Sequence, residues 1–369
     1  MIIPRATPEQ IRTTFNPIDS EKLSAGLPTL NIGVSATALL ESDYKGDGKL
    51  AGYLQHMWEN RAVPQEDGLA ANAIKSLLDC NYLNPDKRPV VKVSIYTSMS
   101  DETLPRLHTS FKNSGYEDDI GNGYFNFHQI DEAGDAERSR AALAEAIRDA
   151  EIDFFIASDL EVAEHLNFMG VGACVLMDPG VVTPYDPLET RWYATDGDGA
   201  LWSDHFETVF QKIYQEAGGD LQATIRKYYN YVLETAKTPM AVGPATKFFQ
   251  KLSRIKSVLR HNPDLKDILK TKLVTTRDFR GALPFPAFAE AFDLHFNRKH
   301  FVSGSLKNSW LKGAILFAED DTAHLERTLK MPDNERPKTH AYLPYGIKHE
   351  MRRNGQAVIS DAQHLVKKE

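Results

Sequence analysis

Cysteine is scarce. Only Cys80 and Cys174 occur among 369 residues, and they stand far apart. That count excludes a disulfide framework and a cysteine zinc site. Long apolar runs are missing too. No stretch approaches the roughly 18 residues a membrane helix needs, so no span is expected. The opening MIIPRATPEQ carries Pro4 and polar residues where a signal peptide would have an apolar core. A cytoplasmic setting is therefore the expectation. The twelve histidines form no HExxH pair, and no GxSxG elbow is present. The glycine-rich KGDGK at Lys45 to Lys49 lacks Walker spacing and a following Ser or Thr. Positive charge is in deficit: the formal charge is −8. An acidic surface repels a phosphate backbone, which argues against nucleic acid as a partner. A local basic pocket for a small anion remains compatible with it.

What is present is apolar substance and a repeated order. Apolar residues make up 42% of the chain, enough for real cores and against global disorder. The length suits two domains. Residues 1–28 read as a polar extension with a capped turn from Thr7 to Thr13. Apolar or β-branched runs predict strands at 30–40, 89–96, 152–157 and 173–177. Helical patterns fall at 50–59, 69–78, 104–114, 141–150 and 162–169. The second half repeats the alternation, with strands at 192–195, 272–276, 300–302, 314–318 and 340–343. Its helices are a block over 206–235 broken near Gly218-Gly219, then 245–259 and 286–294. Alternation of this kind predicts an α/β fold with parallel sheets covered on both faces.

The halves also correspond in detail. GVSATALLESD overlies ATDGDGALWSD at an offset of 161 residues (43 to 204). FFIASD overlies LFAED at the same offset (159 to 320). The chain reads as two tandem copies of one Rossmann-like unit, with the boundary near Pro179 to Pro187. The expected domains are 29–179 and 180–350, with a helical insert at about 205–245 and a charged tail at 351–369.

The chemistry gathers in the second copy. Asp196-Gly197-Asp198-Gly199 follows an apolar strand, where open α/β sheets bind ligands. Two carboxylates one residue apart can divide nucleophilic and proton-transfer work, and the glycines permit the tight turn. A calcium loop would also want acids at this spacing. It requires a ligand and a glycine where Ala200 and Leu201 stand. Thr275 ends the strand KLVTT, and its hydroxyl can donate to a phosphate oxygen; Arg277 lies two residues on. Lys307 in SGSLK supplies a cation of the kind phosphoryl transfer needs. Glu319-Asp320-Asp321 closes another strand, and consecutive acids there repel unless a cation relieves them. Taken singly, each has an ordinary structural explanation: a surface lysine, a strand-end threonine, an acidic turn.

Their order resembles the motif order of the haloacid dehalogenase-like superfamily. The resemblance sharpens on DGDGALWSD, MAVGPATKFF from Met240, LVTTR, SGSLK and the closing YLPYG at Tyr342 to Gly346. In these segments the chain is similar to the cytosolic type I 5'-nucleotidase family over roughly 29–347. The resemblance implies Asp196 as nucleophile forming an aspartyl-phosphate and Asp198 as general acid and base. Thr275 and Lys307 would hold the phosphoryl group, with Gly199, Thr276 and Arg277 on the substrate. Mg²⁺ would be held by Asp196, Asp198 (through its backbone carbonyl), Glu319 and Asp320. The implied substrate is a nucleoside 5'-monophosphate.

Two departures stand out. The last motif usually has two aspartates, so the ligand pair is either Glu319-Asp320 or Asp320-Asp321; His324 aligns with the first. Thr276 replaces a small residue. In the first copy Ser35 and Thr37 occupy the positions of Asp196 and Asp198, so 29–178 should be catalytically inert. It would wall the site, bind the nucleoside, mediate homo-oligomer assembly or add stability. The readings that remain open are a phosphatase for another small ester and a non-catalytic nucleotide sensor. Preferred base, effectors and oligomeric state are not legible.

Overall fold

The computed structural model describes residues 1–15, 28–46, 50–83, 88–97, 103–129, 136–259, 268–278 and 280–356. Most of KGDGK and the end of the charged tail lie outside the described residues. Among the described residues ten strands form one sheet. They are β1 (Leu30–Ser35), β2 (Val91–Thr97), β3 (Phe125–Gln129), β4 (Phe154–Ala157), β5 (Ala173–Met177), β6 (Arg191–Thr195), β7 (Leu269–Thr275), β8 (Arg298–Phe301), β9 (Ala314–Glu319) and β10 (Thr339–Tyr342). The order is β3-β2-β1-β4-β5-β10-β9-β6-β7-β8. Every pairing is parallel except β5 with β10, where Val175 faces Tyr342 and Met177 faces His340. Each half therefore places its first strand at its centre, and the halves meet last strand to last strand with opposite direction. The α/β expectation holds; the expected separate sheets are one continuous sheet.

The central strands are apolar because both faces are covered: all six residues of β9 and all four of β4 are buried. One core runs through both halves, with Phe154 against Phe248 (ring centroids 5.1 Å apart) and Ser76 Oγ bonded to Tyr193 Oη at 2.5 Å. Residues 1–15 pack onto this body. Ile3 and Ile11 are buried, Arg5 forks onto Asp79, and a Thr7–Gln10 capping box starts the helix Pro8–Phe15. No helix among the described residues is long and apolar enough to cross a membrane.

Several elements differ from the sequence expectation. The apolar run 30–40 stops pairing at Ser35 and turns into the short helix Ala36–Leu39. Strand β3 was missed because it is an edge strand with Phe125 alone buried, so it has no apolar run to announce it. The helices Glu117–Gly121, Thr322–Leu329 and Gly346–Arg353 were also missed. The last is strongly basic and amphipathic, and sits partly where a tail was expected.

Candidate active site

The site forms at the carboxyl ends of β6, β7 and β9. Asp196 still ladders onto β9, donating its amide to the Ala318 carbonyl at 2.9 Å. The chain then turns so tightly that the amides of Leu201 and Trp202 both reach the Gly197 carbonyl (2.9 and 3.0 Å). The glycines are sterically required. A Cβ on Gly197 would lie 2.2 Å from the Trp202 ring. One on Gly199, where φ is +68°, would lie 2.3 Å from Asp320 Oδ2.

Lys307 is buried and bridges two acids, its Nζ standing 2.9 Å from Asp196 Oδ1 and 2.7 Å from Glu319 Oε2. It arrives there because its loop is pinned to the end of β7. Val302, Ser303 and Gly304 donate their amides to the carbonyls of Thr275, Arg277 and Thr276 in turn (2.9, 3.3 and 2.7 Å). Burial alone would lower the Lys307 ammonium, but the two carboxylates outweigh it and raise it above its usual range.

Asp320 completes the acidic group. Ligand oxygens of Asp196, Glu319 and Asp320 all lie within 4.8 Å of one another, and all three residues are buried. Asp320 Oδ1 has no hydrogen-bond partner. Burial, then the charge of Asp196, pushes Glu319 well above the ordinary carboxylate range. Burial pushes Asp320 up to about 7, with Lys348 opposing and Asp196 and Asp321 adding to it. Buried like charges with an orphaned oxygen are the environment a hard divalent cation relieves, and an all-oxygen donor set suits magnesium. The residues present fit such an ion.

Asp321 has other work. Its Oδ1 caps the helix Thr322–Leu329 by accepting the Ala323 amide (3.0 Å), and Arg352 donates to the same oxygen at 2.5 Å. The acidic cluster thus comprises Asp196 with Glu319 and Asp320, while Asp321 is engaged elsewhere. Asp159 is the matching helix cap in the first half, accepting from Glu161. Strand pairing places Val34 beside Ile156 and Thr195 beside Ala318. So Asp159 corresponds to Asp321, one position on from the sequence overlay, and Ala157 and Ser158 stand where Glu319 and Asp320 do. The first half repeats the frame without the acids.

Asp198 lies apart from the lysine. Arg277 clamps it with two donors, Nε to Oδ2 at 2.5 Å and Nη2 to Oδ1, and Trp202 Nε1 adds a bond to Oδ1 at 3.0 Å. Arg277 is itself held by the Gly281 carbonyl (2.7 Å) and lies over the Phe206 ring at 4.5 Å. Burial works against a charged Asp198, but the Arg277 fork outweighs it and holds the carboxyl below its usual range. Thr275 is fully buried at the end of β7, its hydroxyl accepting the Arg277 amide at 3.5 Å, and Thr276 is half-buried beside it.

Sequence reading missed the helix Gly346–Arg353. Its buried Lys348 lies 3.5 Å from Glu207 and 3.9 Å from Asp321, and Ile347 donates its amide to Asp204 Oδ2 at 2.7 Å. His349 meets Glu164 of the first half at 2.9 Å. The only available signal was the YLPYG segment leading into it. A family model described as 5'-nucleotidase matches residues 24–348. No curated protein and no solved structure matches the chain.

Proposed function

The chain belongs to the 5'-nucleotidase family, and from that premise we propose that it hydrolyses nucleoside 5'-monophosphates through a phosphorylated Asp196. The observation that carries this reading is the Lys307 bridge between Asp196 and Glu319, with Asp320 beside them at the strand ends. In the first step a carboxylate oxygen of Asp196 attacks phosphorus and the bond to the 5'-oxygen breaks. Asp198 gives that oxygen its proton. In the second step Asp198 takes a proton from water as it attacks the same phosphorus, which frees phosphate and restores Asp196.

The fork with Arg277 keeps resting Asp198 as the carboxylate; a substrate bound as its monoanion brings the proton that Asp198 passes to the leaving oxygen, and the proton Asp198 later takes from water leaves with the phosphate. Asp198 must leave that fork, at least in part, to serve the leaving oxygen, and the guanidinium is then free to face the ester. Lys307, with Thr275, neutralises the phosphoryl oxygens. Asp196, Glu319 and Asp320 would hold Mg²⁺, with the carbonyl of Asp198, and the bound ion supplies charge neutralisation and alignment of the phosphate. Gly199 and Thr276 line the approach.

We read 180–350 as a haloacid dehalogenase-like unit and 29–179 as its inert copy. The helices His205–Glu216 and Leu221–Thr235 form the cap. Phe206 on Arg277 and Tyr229 Oη on Asp278 Oδ2 (2.6 Å) tie that hairpin to the site loop. A cytoplasmic setting is part of this reading. The test is phosphate release from a panel of nucleoside and sugar monophosphates, with and without Mg²⁺. Acid quenching should trap phosphate on the Asp196 peptide. Release from sugar phosphates alone would overturn the substrate, and an Asp196→Asn protein that still turns over would overturn the mechanism.

A further inference from the structure

Parallel sheets are normally covered on both faces. Between β8 and β9 the chain supplies only the four-residue helix Asn308–Leu311, about 6 Å long. It covers the carboxyl ends of the neighbouring strands, where Val274, Leu311 and Phe317 share a core. Towards the strand starts the same face carries different residues. Strand pairing sets Trp192 beside Lys270, and Lys272 beside Arg298. Alternation along β7 and β8 keeps Lys270 with Lys272, and Arg298 with His300, on that face.

Three cations crowd one indole there. Lys272 Nζ lies 4.4 Å from the Trp192 ring centroid, Arg298 Cζ 4.9 Å and Lys270 Nζ 5.4 Å. His300 stacks on Trp310 with centroids 4.3 Å apart, and Trp310 is 43% exposed. Lys272 donates to the carbonyls of Lys312 (2.9 Å) and Trp310 (3.3 Å), so it has a structural duty at the end of the short helix. That duty does not account for Arg298, which is exposed. Among the described residues, the charges that act on Lys272 and His300 are cationic. Burial and then Arg298 bring Lys272 down to about 8; burial, then Lys272 and Arg298, hold His300 below its usual range. Among the described residues, a chain of net charge −8 has concentrated one sign on a face that the β8–β9 crossover leaves open.

We propose that this face, at the starts of β6, β7 and β8 and away from the catalytic edge, binds a polyphosphate anion. Its oxygens would take Arg298 and Lys270, and Trp310 offers a flat surface for a base if one is attached. Two sources share this chemistry, inorganic polyphosphate and nucleoside triphosphates.

Calorimetric titration of the full-length protein with tripolyphosphate, and separately with ATP, tests it. We expect saturable binding that Arg298→Glu weakens about tenfold or more, the size expected for a lost charge-assisted contact. Turnover of monophosphates without polyphosphate should be unchanged, since Arg298 is outside the catalytic group. Tighter binding of ATP than of tripolyphosphate would assign the nucleoside form; equal binding would assign the phosphate chain alone. Should the Arg298→Glu protein fail to fold, Arg298→Ala at this exposed position makes the same comparison. Equal affinity in wild type and Arg298→Ala would overturn the proposal. So would binding abolished by a monophosphate in the catalytic site, or tighter binding of a single-stranded oligonucleotide.

Discussion

Lys307→Met removes the one cation that touches both Asp196 and Glu319. The side chain keeps its length and loses its charge. Both acids are buried, and they sit 2.9 and 2.7 Å from the ammonium. Removing one member of a buried ion pair typically costs about 3–5 kcal/mol, because the partner stays charged in a poor solvent. Glu319 is already raised well above the ordinary carboxylate range and can meet the loss by taking up a proton, so the lower end applies in metal-free protein, about 3 kcal/mol. That is at least a fifth of an ordinary domain's whole stability. A divalent cation at the three acids replaces the missing charge. The urea midpoint of the variant should therefore fall steeply in EDTA and recover in part with Mg²⁺. Turnover should drop by about 10²- to 10³-fold even with metal, since the phosphoryl oxygens lose their lysine. The reasoning is refuted if the variant unfolds at the wild-type midpoint in EDTA, or if Mg²⁺ stabilises it no more than it stabilises wild type.

Three further outcomes follow from the geometry. Arg277→Lys cannot fork onto Asp198, and losing a charge-assisted bond of roughly 1.5–3 kcal/mol should cut kcat about 10- to 100-fold with a smaller change in KM; an unchanged kcat would show that the clamp is incidental. Gly199→Ala forces a side chain into a positive φ and against Asp320, so we expect about 1–3 kcal/mol of destabilisation with weakened Mg²⁺ affinity by calorimetry; wild-type affinity would contradict it. The third concerns pH. The folded Asp320 carboxyl is raised to about 7 from 3.8, so in metal-free protein its burial penalty grows as pH rises from about 4 to 7 and eases as pH falls. The thermal upshift given by Mg²⁺ should accordingly be largest at and above pH 7 and shrink towards pH 5, and a pH-independent upshift would remove Asp320 from the site.

Much of this site was legible because phosphoryl chemistry leaves charged residues at strand ends. DGDG, Lys307 and Glu319-Asp320 each close or follow an apolar run, and the fold gathers Asp196, Lys307, Glu319 and Asp320. Legibility failed where position depended on partners distant in the chain. Asp321 is set apart from Asp320 by a local helix cap and, 31 residues on, by Arg352, which the sequence alone does not bring to it. Arg277 read as a substrate or loop residue, and its grip on Asp198 spans 79 residues of sequence. Lys348 lay in a segment read as running into a tail, because a short basic helix has little apolar signal of its own. Strand β3 was silent for the related reason that a sheet edge needs few buried residues. Fusion into one sheet was invisible because β10 reads alike whether it ends a domain or joins two.

That fusion has a geometric outcome. Where β5 meets β10 the strand direction reverses, so the two halves turn the carboxyl ends of their parallel strands to opposite edges of the sheet. Ser35 and Ser158 look out from one rim, and Asp196 and Asp320 from the other. Carboxylates introduced at 35, 37, 157 and 158 would therefore gather on the rim opposite Asp196 and Asp320, out of reach of that group.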